Sequence, residues 1–244
     1  MESRTNMKKK VLVVAPALSR SGYGEQARFA IRCLASRPED FEVYVQNLPW
    51  GSTGWISNDH EDREYIDEKI VLLGRQESDF RPDISLQVTV PNEFKVYAPV
   101  NIGYTAAVET DRMNHEWVIP SNIMDGLIVV SSHTKQCIQN TVAATKDSRE
   151  VKVEVPIITV GYPKSSIEPT QINLDSLTTD FNFLSVAQIS PRKNVYSSIK
   201  CFLEEFKDDD SVGFVLKVYD RNCSTIDRYR TREKIQTYIE SLKI

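Results

Sequence analysis

Two adjacent cations stand where a short loop is expected to enter a helix. Arg192 and Lys193 lie in the segment SPRKN, residues 190–194, between an apolar run and a stretch of helical periodicity. A helix N-terminus carries partial positive charge, so each cation there costs about 0.3–1 kcal/mol unless an anion binds. A phosphate or diphosphate at this point would receive backbone N–H groups and both cations. The alternative is a solvated basic pair at a surface turn, which is the commoner use of such residues.

A glycine-containing segment near the N-terminus offers a second approach to a phosphate. Residues 22–27, Gly-Tyr-Gly-Glu-Gln-Ala, formally match G-x-G-x-x-A. A dinucleotide-binding fold places the first glycine directly after a strand and an acid at the end of the second strand. Here residues 16–21 intervene, and Gln46 and Asn47 stand where the acid would be. The glycines can still let a phosphate approach a helix, and a turn that merely needs positive φ is an equally good interpretation.

Two carboxylates follow a predicted strand at 100–105. Glu109 and Asp111 lie in the segment VNIGYTAAVETD. Ligands of α/β sheets bind at the carboxyl ends of strands, where carboxylates can orient sugar hydroxyls or act as acid and base. The alternative is a loop in which the aspartate caps the following helix. The three tryptophans are candidates for stacking on sugar rings, although packing is their commoner use: Trp50, Trp55 and Trp117.

Alternating strands and helices are predicted to position these residues. Apolar runs predict strands at 10–15, 41–45, 83–90, 100–105, 127–130 and 153–160. Helical spacing predicts helices at about 25–36, 59–69, 113–124 and 132–144. After residue 180 the alternation restarts, with strands at 182–187 and 213–219 and helices at 194–206 and 224–242. This order is typical of a Rossmann-like, doubly wound parallel sheet in an α/β protein.

The chain is predicted to hold two units. Residues 1–163 form the first Rossmann-like domain, the polar stretch 164–180 is a linker, and residues 181–244 begin a second Rossmann-like domain. The apolar run at Phe183, Leu184, Val186 and Ala187 predicts a strand covered on both faces. Two strand–helix pairs are too few for that, and the last helix has no C-cap glycine, so we expect the natural fold to continue beyond residue 244.

Composition narrows the classes of function. The chain is 41% apolar and 26% charged with a net charge of −4, which is typical of a soluble globular protein. No basic stripe favours nucleic-acid binding, and no apolar run approaches the length of a membrane span. The histidines lack metal-ligand spacing and the cysteines lack a C-x-x-C pair, so no metal site is expected. The four cysteines are interpreted as buried free thiols in a reducing cytoplasm: Cys33, Cys137, Cys201 and Cys223.

Taken together, these segments resemble the retaining GT-B glycosyltransferases of the large family 4. VLVVAPALSRSGYGEQAR resembles the first strand and glycine loop of that family's acceptor domain. GYTAAVETDRMNHEWV and MDGLIVVSSHTKQC resemble its E-T-D-type loop, its tryptophan helix and a strand that ends at a serine before a helix. ITVGYP resembles the segment before the interdomain linker. FLSVAQISPRKN resembles the start of the donor domain, usually V-G-R-L-x-x-x-K-G, and the resemblance covers most of the chain in patches.

The resemblance assigns roles in the donor domain. Lys193 stands on the family's lysine and would hold the donor diphosphate, and Asn194 stands on its second glycine. Ala187 replaces a glycine and Gln188 replaces the usual arginine, so Arg192 would supply the second cation. Gly22, Tyr23 and Gly24 would approach the same diphosphate from the acceptor domain, and Glu109 and Asp111 would face the acceptor or the sugar. The family's paired glutamates, seven residues apart, lie late in the donor domain, and we expect these 244 residues to end before that point.

The implied activity is transfer of a sugar from a nucleoside diphosphate sugar, with UDP or GDP, and with retained anomeric configuration. Cations and a helix N-terminus can stabilise the leaving diphosphate, so no metal or other cofactor is expected. The acceptor, a glycan, lipid or protein, is left open, and so is a peripheral membrane contact. A cytoplasmic location without direct nucleic-acid binding is expected. The alternatives are a non-catalytic sugar- or nucleotide-binding module and an NAD-dependent enzyme, which the long loop and the missing acid disfavour.

Overall fold

The computed structural model describes residues 7–144, 147–163, 168–171, 173–175 and 177–244. Contacts divide the chain into an N-terminal unit and a C-terminal unit, with the boundary between residues 165 and 166 and with Ser52–Gly54 grouped in the C-terminal unit. The predicted linker 164–180 begins at this boundary. Its residues 164–167, 172 and 176 lie outside the described part of the chain.

Strands of the N-terminal unit form a parallel sheet with the order β2-β1-β3-β4-β5-β8. In chain order the strands are β1 (Lys9–Ala15), β2 (Phe41–Asn47), β3 (Ile84–Val88), β4 (Val100–Thr105), β5 (Gly126–Val129), β6 (Ala143–Ala144), β7 (Glu150–Val151) and β8 (Ile157–Thr159). The two-residue strands β6 and β7 pair with each other in antiparallel fashion. Residues 11–15 of β1 are all buried, as a central parallel strand requires.

Helices follow the strands as the sequence predicts, with different ends. They are α1 (Gly22–Ala35), α2 (Arg63–Gly74), α3 (Val118–Asn122) and α4 (Ser132–Asn140), with 3₁₀ turns at Pro91–Glu93 and His115–Trp117. The prediction of one helix over 113–124 is wrong, because a 3₁₀ turn precedes the short α3. The predicted helix 132–144 is too long, since Thr141 is extended and the next residues enter β6. The predicted strand 153–160 contracts to three residues.

Both faces of the N-terminal sheet are covered. Val11 and Val13 of β1 pack in one core with Ile31 of α1. The intervening Leu12 and Val14 pack on the opposite face, in a cluster that includes side chains of α2. This two-residue alternation with apolar cover on each side is the packing of a doubly wound sheet. The predicted α/β class with a Rossmann-like parallel sheet is confirmed.

The C-terminal unit is a smaller strand–helix arrangement. It contains β9 (Phe181–Gln188), α5 (Val195–Phe206), β10 (Val212–Tyr219) and α6 (Thr225–Leu242), and its two strands are parallel. The prediction that β9 is covered on both faces is wrong, because Leu184 is 67% and Val186 64% exposed. Phe183, on the other face, contacts the aromatic side chains of α5. A two-stranded sheet with helical cover on one face leaves the alternate side chains in solvent.

The cysteines are less buried than expected. Cys137 is buried, and burial raises the pKa of its thiol, whereas Cys33 and Cys201 are exposed and Cys223 is half-buried. The prediction of four buried thiols is therefore wrong for three of them. Within the described residues, no helix combines the length and the apolar character that a membrane crossing needs. The same residues contain no group of three or more His, Cys, Asp or Glu side chains arranged to hold a metal ion.

Candidate functional site

The strand order itself indicates where the N-terminal unit binds a ligand. β1 pairs with β2 on one side and with β3 on the other, so the chain reverses its direction across the sheet between β1 and β3. Open α/β sheets bind ligands outside the carboxyl ends of the strands at such a switch point. The segments that leave β1 and β3 there are residues 16–21, which lead into α1, and residues 89–93.

Gly22, Tyr23 and Gly24 form the first turn of α1 rather than a loop before it. Ser21 caps the helix, and its hydroxyl accepts a hydrogen bond of 3.0 Å from the Gly24 N–H. The N–H groups of the first two helical residues have no acceptor within the helix, and they point outward at its positive end. This turn therefore presents N–H donors at a helix start, and the binding of a phosphate there stays a prediction.

Gly24 is required by close packing and not by its φ angle. A Cβ at Gly24 would lie 2.0 Å from the Ser19 carbonyl oxygen and 3.0 Å from that of Pro16. A Cβ at Gly22 would meet no atom within 4 Å. Among the described glycines only Gly51 has a positive φ, so the interpretation of residues 22–24 as a positive-φ turn is wrong. The exposed Gly22 leaves the helix start open to a ligand.

A buried arginine fixes the loop before α1. Arg28 is 3% exposed, and its Nη1 donates hydrogen bonds of 2.9 Å to the carbonyl oxygens of Ala17 and Ser19. Its Nη2 donates to Glu25 at 2.6 Å. Because one guanidinium group binds both the loop and α1, the backbone beside Gly24 is held in place.

Asn47 has a structural role at the position where an NAD-binding fold needs an acid. Its Oδ1 accepts a hydrogen bond of 3.0 Å from the Leu18 N–H, and so it ties the end of β2 to the loop after β1. An amide engaged in this way is not placed to accept the hydroxyls of a ribose. The structure therefore offers no support to the NAD alternative.

The Tyr23 phenol reaches the end of β4. Its hydroxyl shares a hydrogen bond of 2.9 Å with the Thr105 hydroxyl and accepts one of 3.1 Å from the Ala106 N–H. Its ring lies 4.8 Å from that of Trp50, centroid to centroid. Burial raises the pKa of Tyr23, and the negative charge of Glu93 adds to this increase. Glu93, in the 3₁₀ turn after β3, is therefore close enough for its charge to affect the Tyr23 hydroxyl, which is hydrogen-bonded to Thr105.

A second polar group lies behind Tyr23. Gln26 is fully buried in α1, and its Oε1 accepts a hydrogen bond of 3.2 Å from the Tyr162 hydroxyl. Its Nε2 makes no hydrogen bond of standard geometry with the described residues, but the Gln26 side chain acts on Tyr104, where it opposes the rise in pKa that burial causes. Burial raises the pKa of Tyr162, with added effects from Tyr23 and Tyr104. Three phenols and one carboxamide therefore meet at this end of the sheet.

Glu109 and Asp111 are exposed in the irregular segment after β4. The neighbouring Thr110 carbonyl accepts a hydrogen bond of 3.1 Å from His133 Nε2. The alternative that an aspartate caps the next helical segment is wrong, because the Asn114 side chain caps it instead, with 3.0 Å to the Glu116 N–H. Their assigned contact with the acceptor stays a prediction.

Arg192 and Lys193 lie exposed in the turn that enters α5. The Lys193 and Asn194 N–H groups each donate to the Ser190 carbonyl at 3.1 Å, which tightens the turn. Asn194 adopts a left-handed backbone conformation with φ 49° and ψ 40°. Gln188, which stands where the resembling family has arginine, donates to the Asp220 carbonyl at 3.2 Å.

The predicted site residues thus fall into separate groups. Gly22, Tyr23 and Gly24 lie together in the N-terminal unit, and Arg192 and Lys193 lie together in the C-terminal unit. Sequence reasoning missed the other polar groups near Tyr23: Gln26, Arg28, Glu93 and Thr105. The signal for Glu93 was present, because it follows the carboxyl end of a predicted strand just as Glu109 does. A scan against protein-family models finds no match to the chain, and a search of curated proteins finds none either.

Proposed function

We propose that the protein is a glycosyltransferase that moves a sugar from a UDP- or GDP-linked donor to an acceptor, with retention and without a metal. The N-terminal unit serves as the acceptor domain, and the C-terminal unit contacts the donor diphosphate. The observation that carries this proposal is the geometry at the start of α5. Asn194 stands on a glycine of the resembling family and has the left-handed φ of 49° that glycine adopts most readily and asparagine tolerates.

The chemistry follows from charge at the two helix starts. When the bond to the leaving diphosphate breaks, negative charge grows on its oxygens. The Lys193 ammonium and the N–H groups at the start of α5 stabilise that charge in the transition state. Arg192 supplies a second cation in the same turn. In the N-terminal unit, a Cβ at Gly22 would meet no atom within 4 Å, so the start of α1 is also unobstructed for an anion.

The donor assignment is tested by the binding of UDP and GDP to the whole chain, measured by isothermal titration calorimetry. Lys193→Ala should weaken binding about 10- to 100-fold, since a hydrogen bond to a charged group contributes about 1.5–3 kcal/mol. The matched control is Lys207→Ala, an identical change at the other end of α5, about 18 Å away. Equal affinity in the wild-type protein and Lys193→Ala, or equal loss in both variants, contradicts the assigned role.

The role of Glu109 needs an assay of turnover. Glu109→Gln should retain the circular dichroism spectrum of the wild-type protein and lose release of UDP or GDP from the sugar donor, because the amide cannot act as a base. Glu116→Gln, an exposed glutamate of the following turn, is the control. Near-normal turnover in Glu109→Gln limits that residue to a structural role. Nucleotide binding with no turnover in the wild-type chain favours the non-catalytic binding module.

A further inference from the structure

A group of aromatic and polar side chains lies at the switch point of the N-terminal unit, where open α/β sheets have their ligand crevice, and nucleotide binding leaves this group unexplained. Its residues are Tyr23 and Trp50, which are half-buried and packed together, Thr105 at the end of β4, and Glu93 in the turn after β3. We call these four residues the switch-point crevice. They combine two aromatic rings, two hydroxyls and a carboxylate at the carboxyl ends of β1, β3 and β4.

Glu93 is anchored at one carboxylate oxygen and open at the other. The Thr89 hydroxyl donates to Oε2, and the Thr89 N–H donates to the Tyr104 carbonyl at 3.2 Å, which joins this turn to β4. Oε1 accepts no hydrogen bond from the described residues, and the side chain is exposed. The free oxygen can therefore accept a hydrogen bond from a ligand, and the anchored one fixes its direction.

A buried amide donor beside the crevice also points to a ligand. Gln26 Nε2 is fully buried and makes no hydrogen bond of standard geometry with the described residues, while the Tyr104 phenol lies against the amide and the Tyr162 hydroxyl engages Gln26 Oε1. An unmade hydrogen bond at a buried donor is unfavourable, and it is relieved when an oxygen atom enters. Tyr162, whose hydroxyl donates to this amide, is 51% exposed, so the phenol connects the buried amide to the surface.

The mixture of groups selects a neutral polyhydroxylated ligand. A second phosphate beside Tyr23 would be repelled by Glu93, and a cation would be repelled by the positive end of α1. Arg20, the cation of the preceding loop, lies near Asp59 and helps to lower the pKa of that carboxyl. A hydroxyl group both donates and accepts, so it can bind both Glu93 and Gln26, and a sugar ring can pack on the aromatic pair.

We propose that the switch-point crevice binds a pyranose ring of the acceptor, so that the acceptor is a glycan and not a bare lipid or a protein side chain. Glu93 accepts a hydrogen bond from a ring hydroxyl, and the Tyr23–Trp50 pair contacts the face of the ring. This inference rests on the proposed glycosyltransferase function and names its acceptor class.

Saturation-transfer NMR on the whole chain tests the inference. The probes are methyl α-D-glucopyranoside, methyl α-D-mannopyranoside, methyl β-D-galactopyranoside and N-acetylglucosamine at about 10 mM, since a one-ring site is expected to have a Kd of about 1 mM. We expect saturable binding of at least one probe, with a matching change in tryptophan emission. Absence of saturation transfer from all four probes overturns the inference.

Matched variants locate the site. Glu93→Gln keeps the side-chain shape and should weaken binding about 10- to 100-fold, because a hydrogen bond to a charged group is lost. Trp50→Leu removes one ring of the aromatic pair and should also weaken binding, so it serves if the first variant does not fold. The control is Glu39→Gln, a 66% exposed glutamate before β2, at the amino ends of the strands. Unchanged affinity in Glu93→Gln and Trp50→Leu, or an equal loss in the control, overturns the assignment.

The outcome separates this inference from the proposed function. Suppose that UDP or GDP binding is lost in Lys193→Ala and kept in Glu93→Gln, and that the wild-type protein binds no saccharide. This result rejects the acceptor site and retains the transferase. Saccharide binding that depends on Glu93, without nucleotide binding, retains the crevice and rejects the transferase.

Discussion

Substitution of Gly24 by alanine is expected to destabilise the N-terminal unit far more than the same change at Gly22. The Gly24 Cβ would lie 2.0 Å from the Ser19 carbonyl oxygen, about 1 Å closer than real contacts allow. That oxygen also accepts a hydrogen bond from the buried Arg28, so the loop cannot move away without disturbing this bond. At Gly22 the new methyl group meets no atom within 4 Å.

The magnitude follows from two contributions. Overpacking against backbone costs about 1–3 kcal/mol, and the weakened hydrogen bond to a buried charge adds about 1.5–3 kcal/mol. A loss of about 3–5 kcal/mol should lower the melting temperature of a unit of this size by about 6–20 °C. Gly22→Ala should leave it unchanged or slightly higher, because alanine has the better helix propensity, by up to about 1 kcal/mol.

Tryptophan emission during thermal unfolding measures this difference in the right unit. All three tryptophans of the chain, Trp50, Trp55 and Trp117, belong to the N-terminal unit. Hydrogen exchange of residues 16–21 should show in addition that the loop has loosened in Gly24→Ala. Equal melting temperatures for the two variants would refute the argument that close packing, and not backbone freedom, requires the second glycine.

Two further predictions concern a buried phenol and a strained backbone. Burial, with the Glu42 carboxylate beside it, raises the pKa of Tyr44 to about 12, so the folded protein keeps a proton that the unfolded chain releases above pH 10. The free energy of unfolding should therefore fall as pH rises from 10 to 12, by up to about 2–3 kcal/mol from this group. Urea unfolding of Tyr44→Phe should show a smaller fall over the same range. An equal dependence of the free energy of unfolding on pH in the two proteins contradicts the prediction. Asn194→Gly should leave stability unchanged, whereas Asn194→Ala should cost about 1 kcal/mol, because φ is 49° at this residue. Hydrogen exchange of α5 measures the difference, and equal exchange in the two variants contradicts the prediction.

The fold class could be predicted because its signals are local. The structure contains the predicted buried strand at residues 11–15 and the predicted alternation of strands with helices. The errors arise where distant partners decide. Nothing local in β9 shows that only one neighbouring strand and one helical layer cover it, and so Leu184 and Val186 are exposed against expectation. The helix over 132–144 ends early because Ala143 pairs with Val151, a contact that periodicity does not contain.

The candidate site was predictable only in part, for the same reason. Spacing identifies Gly22 and Gly24, but the need for Gly24 comes from the Ser19 carbonyl, which is a tertiary contact. Helical periodicity cannot show that Arg28 is buried and holds two loop carbonyls. The strand order, which places the switch point between β1 and β3, is known only from the structure. It makes Glu93, which follows β3, a better candidate for ligand binding at that point than Glu109, which follows β4.

Glu93 and Glu109 lie in different segments, and under the proposed function we assign binding of the acceptor to the first and catalysis to the second. Glu93 is fixed by a hydroxyl of the strand end that precedes its turn, and it lies at the switch point beside Tyr23. Glu109 lies one strand further, after β4, in a segment that contains the left-handed Ala107. A carboxylate with a fixed direction suits recognition of a hydroxyl that is present throughout the reaction, whereas a base must reach the one hydroxyl that loses its proton. Loss of the first residue should therefore raise the acceptor KM, and loss of the second should lower kcat, because only the second contact strengthens in the transition state.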